Sequence, residues 1–152
     1  MTLTIDLNSR ADSQYWSYFK ANYGNIFYRD AGIFTLPSFL YTYVLYKRKI
    51  KFKGVRKISI EFSEFEEGVL VSPSKILGPI LVYNCQFDFE KLKSIDSRKD
   101  QQLFVLVRMH EAILRIADIY KWEKTGFIEV YDQVYDRIVN DTVPADFWDV
   151  RI

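Results

Sequence analysis

One histidine and one cysteine in 152 residues leave little from which to assemble a metal centre or a disulfide framework. Cys85 has no second thiol to bond, which fits a reducing compartment. The six glycines stand far apart, so neither a phosphate-cradling loop nor a dinucleotide fingerprint can be written, and no serine nucleophile elbow is present. No cofactor or metal is therefore expected. The longest uncharged run, residues 31–46, contains Gly32 and Pro37 and is too short and too polar to span a bilayer. The N-terminal residues carry neither a basic nor an apolar signal region. We expect a cytoplasmic protein with no membrane partner.

What is present is a globular balance, 49% hydrophobic and 27% charged, in a chain long enough to bury roughly two-thirds of its unfolded surface as a single domain over residues 1–152. Aromatic residues reach 17%, with 11 Tyr and 12 Phe, which suits a tyrosine-rich core or a surface that is apolar on one side and wet on the other. The net charge of +1 argues against a general polyanion binder. Its distribution is uneven. Residues 41–60 hold seven bases and no acid, whereas residues 101–152 hold nine acids against six bases.

Leu3, Ile5 and Leu7 alternate with polar residues and predict a first strand. Tyr15, Trp16, Phe19 and Tyr23 lie at helical spacing behind Asp12 and Ser13, and Ile26 to Tyr28 is at most a short strand. From Phe39 to Phe65 the apolar residues Val44, Tyr46, Ile50, Phe52, Ile58, Ile60 and Phe62 share one parity, which predicts strands broken at Gly54. Further strands are expected at Val69 to Val71 and Ile80 to Tyr83, making a mostly antiparallel sheet. The period then changes. Ser97 and Asp100 form a capping box ahead of Leu103, Leu106, Val107, His110, Ile113, Leu114 and Ala117, a single helical stripe. Thr125 can cap a second helix with Phe127, Tyr131, Val134 and Ile138 on its inner side, and Pro144 prevents its continuation. Phe147, Trp148, Val150 and Ile152 suggest a docked tail. The class expected is α+β, an antiparallel sheet packed against helices, with a C-terminal amphipathic helical pair.

Four features bear on function. His110-Glu111 lacks the second histidine of a zinc protease, since position 114 is Leu, and His110 on an apolar stripe reads as a core imidazole. Cys85 with His110 is the one nucleophilic pair that the composition allows, which makes a small cytosolic enzyme an alternative reading. Residues 47–57 place Lys49, Lys51 and Lys53 on the outer face of an expected strand, where they either follow phosphates in a nucleic-acid module or guard a strand edge, paired with Glu61, Glu64 and Glu66. On the second helix Glu129, Asp132 and Asp136 recur at three and four residues, an acidic stripe that can steer a basic partner.

His110-Glu111-Ala112-Ile113-Leu114-Arg115-Ile116-Ala117, then Trp122-Glu123-Lys124, then Tyr131-Asp132-Gln133-Val134 resembles the C-terminal helical pair of small bacterial immunity proteins that neutralise polymorphic or contact-delivered toxins. The resemblance covers residues 97–140. It implies a non-enzymatic protein that binds a toxin effector domain stoichiometrically, with Glu129, Asp132 and Asp136 as the partner-binding residues expected from the acidic stripe.

Overall fold

A computed structural model describes residues 2–9 and 31–142. Its class is α+β, as the alternation of periods predicts. In chain order it contains β1 (Thr4–Ser9), α1 (Ala31–Lys47), β2 (Lys57–Ser63), β3 (Gly68–Val71), β4 (Ile80–Gln86), α2 (Phe89–Ser94), α3 (Arg98–Tyr120) and α4 (Thr125–Val139). The stretch around Tyr15 to Tyr23, the piece from Ile26 to Tyr28 and the tail with Phe147 and Trp148 lie outside the described residues.

The sheet has the order β1-β2-β4-β3, and it is mostly parallel, which corrects the antiparallel expectation. β1 pairs with β2 and β2 with β4 in parallel, while β3 alone runs antiparallel, against β4. The alternation over Leu3 to Leu7 and over Ile58 to Phe62 falls on true strands, yet it carries no direction. Parallel neighbours need long crossovers, and residues 10–56 and 64–79 provide them. Register puts Ile5, Ile58 and Leu81 in one row, then Leu7, Ile60 and Tyr83, so the apolar residues of three strands share a face.

A second correction concerns residues 39–47, which are helical. Ile33, Phe34, Leu40, Tyr41, Tyr43, Val44 and Leu45 are all buried, so α1 is apolar around most of its circumference and shows no amphipathic stripe. Its β-branched and aromatic residues favour strand when read locally, and tertiary burial overrides that preference. Thr42 explains part of its position. The Thr42 hydroxyl accepts from the Ile5 N–H at 2.9 Å and donates to the Ile5 carbonyl at 3.1 Å, satisfying both backbone groups of this residue of the edge strand β1. At the opposite edge, β3 is only 4 residues long and bulged between Val69 and Val71.

Residues 48–56 form a loop with one bridge, Phe52 to Val55, instead of a strand. Gly54 takes φ +83° there, a left-handed conformation suited to glycine. Lys49, Lys51 and Lys53 therefore lie on no strand face, and no hairpin pairs them with Glu61, Glu64 and Glu66, because β2 is flanked by β1 and β4.

The helical pair forms as expected. Ser97 Oγ accepts the Asp100 N–H at 3.3 Å and opens α3, whose Val105, Leu106, Met109, Ala112, Ile113 and Ile116 are buried. Lys121, at φ 57°, ends it in a left-handed cap. Thr125 does not cap α4. It is the first helical residue, and its hydroxyl donates to Glu123 Oε1 at 2.7 Å, leaving Lys124 at the cap position with no side-chain bond. Phe127, Val130, Val134 and Ile138 bury the inner side of α4 against α1 and α3.

Candidate protein-binding face

With α4 anchored by Phe127, Val130, Val134 and Ile138, helical geometry decides which residues face outward. Ile128, Tyr135 and Val139, separated by seven and four residues, form an exposed apolar row. Asp132 and Asp136 lie beside this row and Glu129 beyond them, all three exposed. The acidic stripe expected from sequence thus borders three large apolar groups. Sequence reasoning missed Ile128, Tyr135 and Val139, although their seven-and-four spacing was the available signal.

The three acids are differently engaged. Glu129 forms an ion pair with Arg48 from the loop after α1. Asp136 accepts from the Asn140 amide at 2.9 Å through its carboxylate. Asp132 has no ion-pair partner among the described residues; its charge acts on His110 and on Tyr131.

His110 is 8% exposed and packs where α1, α3 and α4 meet. Its Nδ1 lies 2.9 Å from the Tyr41 hydroxyl, and its ring stacks on Tyr131 at a centroid distance of 4.3 Å. The Tyr41 hydroxyl also donates to the Phe127 carbonyl at 3.3 Å. One hydroxyl proton serves both contacts only if Nδ1 carries its own proton and donates to Tyr41. Burial lowers the imidazole pKa to about 4, against a smaller opposing pull from Asp132, so the ring is neutral at pH 7. Burial likewise raises the Tyr41 phenol well above its usual value.

Cys85 sits elsewhere, on the helix-facing side of β4. Its thiol contacts the carbonyls of Gln86 at 3.8 Å and Arg108 at 3.9 Å, and none of its hydrogen bonds reaches His110. Burial pushes the thiol up to about 12, with Arg108 pulling weakly the other way, so it is protonated at neutral pH. Cys85 and His110 are therefore not hydrogen-bonded to each other.

Next to Cys85 lies a polar cluster that sequence reasoning did not find. Glu67, from the turn before β3, accepts the Gln86 N–H at 2.8 Å and meets Arg108 at 2.5 Å, Arg115 at 3.4 Å and the Tyr83 hydroxyl. Arg108 Nε also donates to the Gln86 carbonyl at 2.7 Å. One carboxylate thus fastens β3, β4 and α3 together. Burial, followed by the hydrogen bond to Glu67, raises Tyr83 to about 12. Among the described residues no three His, Cys, Asp or Glu side chains gather to hold a metal ion, and no helix is long and apolar enough to cross a membrane.

Compared with protein-family models, with curated proteins and with solved structures, the chain finds no match.

Proposed function

We propose that the protein is a non-enzymatic binding protein of the immunity type, which neutralises a cognate bacterial toxin in the cytoplasm by covering a basic effector domain with the outer face of α4. The observation that carries this reading is the apolar row of Ile128, Tyr135 and Val139 lying beside Asp132 and Asp136. Exposed aromatic and aliphatic groups supply the surface that a partner desolvates, and an adjoining row of one charge selects and steers that partner. The choice of a toxin as partner rests on the resemblance of residues 97–140 to immunity proteins.

The experiment is co-expression with the product of the adjacent upstream gene, followed by co-purification. A stoichiometric complex, protection of the host and loss of both in Asp132→Lys combined with Tyr135→Ala are the expected results. Neither complex nor protection with the unaltered chain would defeat the proposal.

A further inference from the structure

The loop of residues 72–79 between β3 and β4 is tied at its base. Ser74 and Gly78 exchange backbone hydrogen bonds of 3.0 and 2.8 Å, and Ser74 Oγ accepts the Leu77 N–H at 2.8 Å. This bonding holds two large aliphatic side chains out in water. Ile76 is 94% exposed and Leu77 68%.

Below the tip, at the end of the sheet where β2 and β4 begin, two adjoining clefts share Lys53, Gly54, Val55 and Pro79. Lys51 and Arg56 line one and Lys75 the other, with Tyr120 and Trp122 forming a wall; no carboxylate lines either. None of these four cations has an ion-pair partner among the described residues, whereas Arg48, Lys57, Lys99 and Arg108 are all paired elsewhere. Four unpaired cations grouped around a protruding apolar tip call for a partner that is anionic at its surface and apolar beneath it. A protein would need a preformed pocket matched to a convex tip, whereas a bilayer needs only charge and depth.

We propose that this end of the molecule is a peripheral contact for an anionic lipid bilayer. Ile76 and Leu77 enter the headgroup boundary, Lys51, Lys53, Arg56 and Lys75 meet lipid phosphates, and Tyr120 and Trp122 sit at the level of the interface. This departs from the expectation of no membrane partner, which rests on the lack of a spanning run and of a signal region and not on the surface that the fold builds. Surface contact depends on a juxtaposition of residues 51–56 with residue 75 that only the fold creates. The surface shares no residue with the outer face of α4.

The test is sedimentation of the full chain with vesicles of phosphatidylcholine alone and of phosphatidylcholine mixed with phosphatidylglycerol. The protein is expected to sediment with the mixed vesicles only, and added salt should weaken the binding. Lys53→Gln and Lys75→Gln should each lower partitioning roughly fivefold. Ile76→Ser with Leu77→Ser should abolish it while circular dichroism stays unchanged, since both side chains are exposed. Failure to sediment with the mixed vesicles, equal binding to neutral vesicles, or binding indifferent to Ile76 and Leu77 would each overturn the proposal. So would salt-sensitive retention on DNA or RNA without vesicle binding, which would identify a soluble polyanion as the ligand.

Discussion

The Tyr41 hydroxyl, 2.9 Å from His110 Nδ1, joins α1 to α3 across the interior. The same hydroxyl reaches the Phe127 carbonyl in α4, so one phenol links three helices. Tyr41→Phe would remove it and leave the buried His110 Nδ1 without its partner, a loss of about 1–3 kcal/mol. Urea denaturation at pH 7 measures this, and an unchanged midpoint would show that the hydroxyl contributes nothing.

The same site predicts a pH dependence. His110 titrates near 4 in the folded protein, below its ordinary value of 6.5, so between these values the native state binds fewer protons than the unfolded chain. Its contribution is complete above about pH 6.5 and fades as pH falls toward 4, with a full effect of about 3 kcal/mol. Between pH 6.5 and 5 ordinary carboxylates remain ionised, which isolates the histidine. His110→Gln should flatten the stability profile in that interval, and a profile as steep as the wild type's would place the titrating group elsewhere.

Glu67 stands where β3, β4 and α3 converge, with its side chain 23% exposed and that of Arg108 18% exposed. Pairs this sheltered exceed the near-zero value of open surface bridges and fall short of fully buried ones. Glu67→Gln should cost roughly 2 kcal/mol. Hydrogen exchange should localise the loss to the amides of β3 and to Gln86, whose N–H the carboxylate accepts. Uniform loosening of the whole sheet would contradict the local role.

Cys85 is fully buried, and its thiol titrates near 12. A thiol reagent should leave the native protein unlabelled at neutral pH and modify it only after denaturant is added. Rapid native labelling would contradict the burial of the thiol. It would also reopen Cys85 as a nucleophile.

Strands and the helical pair were legible because their signals are local. Leu3, Ile5 and Leu7, and then Ile58, Ile60 and Phe62, alternate as half-buried strands do, and Ser97 opens α3 as its hydroxyl chemistry suggests. Strand direction and α1 were not legible. Parallel pairing of β1 with β2 depends on the path taken through residues 10–56, and α1 lacks polar residues at helical spacing because almost every side of it is covered. The acidic row of α4 could be read from spacing alone. Its apolar border could not be weighed until burial of Phe127, Val130, Val134 and Ile138 showed which side remains open.

The mixed composition of that open side predicts a kinetic separation in partner binding. Asp132 and Asp136 act over a Debye length before contact, so Asp132→Lys with Asp136→Lys should slow association and reduce its sensitivity to salt. Tyr135 acts only after water has left, so Tyr135→Ala should leave association near its original rate and speed dissociation about tenfold or more, as loss of a buried aromatic anchor does. Glu129→Gln changes the charge of this face by one unit, where each aspartate-to-lysine replacement changes it by two, so it should slow association less than either of them. Surface plasmon resonance with the purified partner resolves the two rates. If the aspartates altered only dissociation and Tyr135 only association, steering and desolvation would have been assigned to the wrong residues, and the outer face of α4 would not be the surface that meets the partner first.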